Sequence, residues 1–255
     1  MKLSKAWLFV MLLIVSIAGS AASAAPIPFT GGTINSDCTL NVPSDFEDIN
    51  AVLDYLNDKR IAANTIVSIQ VSDGVYNYTR SIQIKHPDGD RIKIVGNQVN
   101  PNNCILNFSN CSFGIEVNTA NKLRLFNGFT LVGTNSIPDS FGHTYGIYVV
   151  YNSYIFCGPQ IQIQNFKYGI LATFNSAAKA QGITVSNCVT GFAADMKSML
   201  DIRSAKGINN VYQIAAMKGS FIFANETTIS GGTTSFIPPK NTVGNDNSYI
   251  STTGY

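Results

Sequence analysis

Few residues in this chain have chemistry beyond packing. Asp195 and Asp201 are carboxylates in a stretch dominated by short apolar runs, with Lys179 and Arg203 close by. Glycoside cleavage needs two carboxyl groups facing one cleft, one as acid and one as base or nucleophile. Asp195, Asp201, Lys179, Arg203 and His143 therefore form the candidate catalytic set. The competing reading is an ion pair between Asp201 and Lys179, one repeat step apart, worth roughly 0–1 kcal/mol. His86-Pro-Asp-Gly-Asp90 brings an imidazole and two carboxylates into one turn, with Arg91 beside them. Calcium favours such oxygens but takes six or more ligands, and an Asp-Gly turn explains the segment more simply. No metal ligands are assigned, and calcium is the one cofactor left open. A second cluster, Tyr145, Tyr148, Tyr151, Tyr154 and Phe156 with Asp139 ahead of it, is suited to binding. Aromatic faces against sugar C–H surfaces, with polar groups for hydroxyls, make a shallow glycan site. Aromatics are also ordinary strand formers.

The elements that position these groups are visible as a repeat. Gly146-Ile-Tyr-Val, Gly169-Ile-Leu-Ala, Gly191-Phe-Ala-Ala and Gln213-Ile-Ala-Ala begin at steps of 23, 22 and 22 residues. Tyr154-Ile-Phe-Cys, Ala177-Ala-Lys-Ala, Met199-Leu-Asp-Ile and Phe221-Ile-Phe-Ala keep the same steps. A third set, Ile161-Gln-Ile-Gln and Ile183-Thr-Val-Ser, fades at Ala205-Lys-Gly-Ile. Three short strands per repeat, with no helix between them, predict a coil of parallel strands. Alternation then points Ile147, Ile170, Phe192 and Ile214 inward as one column. Ile155, Ala178, Leu200 and Ile222 make a second column, and Cys157, Ala180, Ile202 and Ala224 a third. Asn165, Asn187 and Asn209 recur at steps of 22, which predicts a ladder of stacked amides at a turn. Between Phe129-Thr-Leu-Val and Gly146 the coil swells at Thr134 to His143, and insertions of this kind collect on a binding face. Tyr154, Ala177, Met199 and Phe221 line up outward, as do Tyr148, Leu171, Ala193 and Ala215. Exposed apolar columns of this size mark contacts.

Ahead of the coil, Ser44-Asp45-Phe46-Glu47 has the form of a capping box. Phe46, Ile49, Leu53 and Leu56 follow at helical spacing, which predicts one amphipathic helix over about 45–58. Lys2 and Lys5, the apolar run from Ala6 to Ala18 and Ala22-Ser23-Ala24 read as a signal peptide over 1–24. The run is short for a bilayer span, so the expected product is secreted or periplasmic, with no membrane partner after cleavage. Removing the two leader lysines leaves 17 − 2 = 15 basic against 15 acidic residues. A neutral chain lacks the basic footprint of nucleic-acid binding. Export permits disulfides, and Cys104 and Cys111 are close enough to pair, but five cysteines are better read as buried small hydrophobes. Four sequons begin at Asn77, Asn107, Asn110 and Asn225 and matter only in a glycosylating host.

The rung pattern, the capping helix and the Asn ladder resemble the right-handed parallel β-helix of the pectin-lyase-like superfamily. Val71-Ser-Asp-Gly-Val-Tyr76 and His86-Pro-Asp-Gly-Asp-Arg-Ile-Lys-Ile-Val-Gly96 are similar to the opening rungs of its secreted and phage-tail members. The resemblance covers about 40–230. It implies an all-β, single-stranded right-handed parallel β-helix over 25–230 with an N-terminal capping α-helix, then a C-terminal tail or cap over 231–255. Enzymes of the superfamily usually act on polysaccharides, commonly uronic-acid chains. Gly142-His143-Thr144 matches only part of a Gly-His-Gly element, with no Asn-Thr-Asp or Asp-Asp pair beside it. The expectation is thus a binder of a polysaccharide or cell-surface glycan. The alternatives are a polysaccharide lyase or glycoside hydrolase, and a structural or adhesive module forming a homotrimer.

Overall fold

A computed structural model describes residues 31–134 and 144–253. Residues 1–24, read above as a signal peptide, and Asp139 and His143 lie outside the described residues. The chain forms a parallel β-solenoid of about 8 turns. Sheet I has nine strands, from Cys38–Val42 to Tyr249–Ser251. Sheet II has seven, from Gly74–Asn77 to Thr228–Ser230, and sheet III has seven, from Ile82–Ile84 to Thr234–Ile237. Seven coils each contribute one strand to each sheet, and sheet I has one further strand at either end, so neighbours within these sheets are parallel and come from adjacent coils.

The expected columns form in register. Ile147 faces Ile170, Ile170 faces Phe192 and Phe192 faces Ile214. Ile155, Ala178, Leu200 and Ile222 stack likewise in sheet I. Cys157, Ala180, Ile202 and Ala224 are all buried. Burying one such Ile or Phe contributes about 1.5–3 kcal/mol, and the columns join one cluster running from Val42 to Ile250. All five thiols are unpaired, so no Cys104–Cys111 bridge forms. Burial pushes the Cys104 and Cys188 thiols up to about 12 and raises Cys157 further, which keeps them protonated and unreactive.

The fading of the third set has a packing cause. Gly146 lies so close to the sheet II side chain Ile163 that an added Cβ would come within 2.5 Å of it. One coil on, Gly169 and Val185 repeat this small-against-large pairing. At Gly207 the sizes are exchanged, because the large partner is now Gln213 in sheet III, whose Oε1 would lie 2.5 Å from an added Cβ. The buried amide is fully engaged. Asn210 Nδ2 donates to Gln213 Oε1 (2.8 Å) and to Val185 O (3.0 Å), while Cys188 N donates to Asn210 Oδ1 (2.9 Å). Gln213 Nε2 donates to Ser230 O (3.0 Å) and Gly231 O (2.9 Å). Asn210→Ala strands the Cys188 N–H in the core and should cost about 2 kcal/mol or more by chemical denaturation. A loss under about 0.5 kcal/mol would show that the network contributes nothing.

The corners explain two recurrences. From sheet III to sheet I the chain turns through two left-handed residues and a buried serine: Tyr151-Asn152-Ser153, Phe174-Asn175-Ser176, Met196-Lys197-Ser198 and Lys218-Gly219-Ser220. Ser153 N donates to Ser176 Oγ (3.2 Å), Ser176 N to Ser198 Oγ (3.0 Å) and Ser198 N to Ser220 Oγ (3.1 Å). This serine ladder repeats at the same steps as the strands and escaped the sequence reading. Asn165, Asn187 and Asn209 share a different feature, positive φ of 64°, 54° and 54°. Asn tolerates that conformation, and there the backbone N–H groups bridge the coils, to Ser186 O, Ile208 O and Ser230 O. Amide-to-amide bonds between coils occur at Asn175–Asn152 and Asn107–Asn77, both 2.7 Å.

The helix spans Ile49–Leu56, shorter than the expected 45–58. Its cap is Asp48, whose Oδ1 accepts from Ala51 N at 2.8 Å. The Ser44 box does not form, because Ser44 Oγ donates to Asp45 while Asp45 and Phe46 N–H groups still close a turn on Asn41 O. Ile49, Val52, Leu53 and Leu56 bury the apolar face in the common core. At the other end, Thr234–Ile237 and Tyr249–Ser251 continue sheets III and I. Asn241 N then donates to Ile250 O at 2.8 Å, which covers the last strand of sheet I.

Candidate functional site

Four grooves whose linings overlap cross sheet I, from the corner ahead of its strands to the corner after them. The first, about 340 Å³, lies among Asp37, Thr39, Ile66, Ser68 and Lys93. Ile66 is shared with the second, about 390 Å³, which Asn64, Asp90, Arg91 and Arg124 line. Asp90 and Arg124 pass into the third, about 480 Å³, with Lys122, Tyr154 and Phe156. Phe156 is also a wall of the fourth and largest, about 620 Å³, with Gln181, Arg203, Ser204, Phe223, Asn225 and Glu226. Nine strands at about 4.8 Å spacing make this face roughly 38 Å long.

Strand alternation aims the sheet I side chains among them outward. In register, Phe156 sits over Lys179, Lys179 over Asp201 and Asp201 over Phe223. Lys179 Nζ lies 5.0 Å from the Phe156 ring centre, a cation–π contact. It is not the partner of Asp201, because Arg203 is closer and better shaped. Arg203 Nε donates to Asp201 Oδ1 (2.9 Å) and Arg203 Nη2 to Oδ2 (2.7 Å), a planar fork that a lysine cannot offer. Gln181 Nε2 also donates to Oδ2 at 2.7 Å. Burial works to raise the Asp201 pKa, but the Arg203 and Gln181 hydrogen bonds outweigh it and hold the carboxyl below its ordinary value. Such a group stays ionised and is a poor general acid, which must keep its proton until the leaving group takes it.

The remaining candidates are dispersed. Asp195 follows the sheet III strand Thr190–Ala194, pairs with Lys218 (Oδ2 to Nζ 3.3 Å) and keeps a buried Oδ1 without a partner. It therefore shares neither sheet nor partners with Asp201. Tyr145 and Tyr148 belong to the outer face of sheet III. Tyr145 is stacked between Phe113 (5.1 Å) and Tyr168 (5.3 Å), with Tyr148 tilted against it. These rings pack with Leu171 and Ala193. The column expected to be exposed is accordingly covered, with Leu171 at 8 %, Ala193 at 0 % and Ala215 at 6 % exposure. Tyr151 projects at the corner beside Phe174 (4.9 Å). Only Tyr154 and Phe156 of the aromatic set line the grooves. Burial raises the Tyr154 phenol, with Cys157 and Asp201 adding to it, so the hydroxyl remains a neutral donor and acceptor. Sequence reasoning missed Phe223, Gln181 and Glu226, although Phe223 stood in the outward column two steps beyond Lys179. Among the described residues no cluster of His, Cys, Asp and Glu is arranged to hold a metal.

The fold and its face define the class, a parallel β-solenoid with a run of overlapping grooves across one sheet and its corners. Comparison with family models, with curated proteins and with solved structures gave no match.

Proposed function

We propose that this protein is an exported right-handed β-helix of the pectin-lyase-like kind that binds a linear polysaccharide or cell-surface glycan along sheet I. The observation that carries the reading is the run of four grooves sharing Ile66, Asp90, Arg124 and Phe156. A polymer matches such a line better than a compact ligand does. Phe156 and Phe223 offer apolar faces for sugar rings, and Gln181, Ser204, Asn225 and Glu226 offer polar groups for hydroxyls. At the N-terminal half Lys93, Arg91, Lys122 and Arg124 outnumber Asp37 and Asp90, which favours acidic sugars. Binding is favoured over cleavage because Asp201 is clamped and ionised and Asp195 stands apart from it.

The test is equilibrium binding of purified residues 25–255 to a panel of neutral and acidic polysaccharides, with reducing ends assayed in parallel. Retention of an acidic chain, weakened by salt and without new reducing ends, is the expected result. Release of reducing ends that Asp201→Ala abolishes would replace the binding reading with a catalytic one.

A further inference from the structure

We infer that His86 is a proton-sensitive latch that holds the turn 86–91, and with it the groove-lining Asp90 and Arg91, against the segment 59–61. The ring is buried and both of its nitrogens are committed. His86 Nε2 lies 3.0 Å from Lys59 O, which can only accept, so Nε2 carries the proton. Asp88 N donates to Nδ1 at 3.0 Å, so Nδ1 must present its lone pair. A second proton has only Nδ1 to occupy, and there it would meet an N–H already pointing at the ring. The neutral form is therefore built into the fold.

The charged surroundings pull both ways, with Asp88 favouring a charge on the ring and Arg60 opposing it. Asp88, the nearest carboxylate, is already saturated. Arg60 donates to it twice, from Nε at 2.7 Å and Nη2 at 2.8 Å, Ile61 N at 3.0 Å and Arg91 Nη1 at 3.1 Å. Arg91 also donates to Ile61 O. Arg60 holds the Asp88 carboxyl down at about 2, so it stays ionised through any acidification that reaches His86. The Lys59 ammonium is spent on Asp58 (2.8 Å) and on the Tyr55 ring. Lys122 and Arg124, on the strand beside the turn, are exposed, as is Asp90. The helix end contributes only the Leu56 carbonyl to this environment.

Burial lowers the His86 pKa below 6.5, against the pull of Lys59 O and Asp88. The sign follows from that direction. Between the folded and unfolded values the unfolded chain binds more protons, so stabilisation is full above the unfolded pKa and is lost as pH falls. Because the solenoid is held coil to coil, the loss is local to 59–61 and 86–91.

The experiment follows the His86 imidazole by nitrogen NMR while amide exchange is read from neutral pH down through the His86 midpoint, corrected for intrinsic rates. The expected result is an Nε2–H tautomer at neutral pH, then a fall of at least tenfold in protection at 59–61 and 86–91, with the coil 190–216 unchanged. In His86→Asn the side-chain oxygen takes the Asp88 N–H as an Asx turn, nothing titrates, and the local fall should vanish. Protection that is unchanged when the ring is charged, a ring that never charges before global unfolding, or an equal fall in His86→Asn would each overturn the latch. Since exchange is the readout, failure here leaves the glycan reading untouched, and failure of that reading leaves the latch untouched.

Discussion

Phe192→Ala should lower the stability of the solenoid by about 3–5 kcal/mol, the cost of emptying a large buried side chain. Phe192 has no exposed surface and lies between Ile170 and Ile214 in the sheet III column. Both neighbours are themselves in register with other coils, so the cavity has little freedom to collapse. The matching control is Met199→Ala, seven residues along but outward and 48 % exposed, which should change stability by no more than about 0.5 kcal/mol. Chemical denaturation followed by circular dichroism reads both. Equal losses at the two positions would contradict the assignment of inward and outward faces.

Removing both aromatic walls, Phe156→Ala with Phe223→Ala, should weaken polysaccharide binding by at least about tenfold, taking roughly 1 kcal/mol for each ring face. The two rings stand at either end of the Phe156–Lys179–Asp201–Phe223 column and both line the largest groove. Each is half-buried, so the fold should keep most of its stability while the face loses its apolar contacts. Tyr148→Ala on sheet III is the control, and it should leave affinity within about twofold. Affinity measured by calorimetry against one retained polysaccharide decides between the two faces. A loss confined to Tyr148→Ala would move the ligand to sheet III.

Periodicity was legible because the coil forces it: each strand must meet its copy one turn later, so apolar residues recur at fixed steps. That constraint specifies the columns through Phe192 and Leu200. It also misdirected. Position in the outward column suggested that Lys179 pairs with Asp201, yet the bidentate fork of Arg203 wins from two residues along the same chain. Alternation alone predicts exposure of Leu171 and Ala193, while the rings of Tyr145, Tyr148 and Tyr168 cover them in a way that a period cannot anticipate. The exchange of size between Gly207 and Gln213 looked like a failing repeat because it takes two strands from different sheets to see it. The serine ladder could have been read at Ser153, Ser176, Ser198 and Ser220, but serine in a turn carries no apolar signal. For the site, sequence gave a cluster of aromatics without saying which face each occupied. The fold separates Tyr154 and Phe156 from the rest.

The most direct test is a hydrogen-exchange footprint of the protein with and without a polysaccharide retained in the binding panel. Protection should concentrate at 90–93, 122–124, 154–156, 179–182, 201–204 and 221–226, the lining of one continuous face. Protection at 113–117, 145–149 and 168–172 instead, or no protection anywhere with any polysaccharide, would contradict a glycan groove on sheet I.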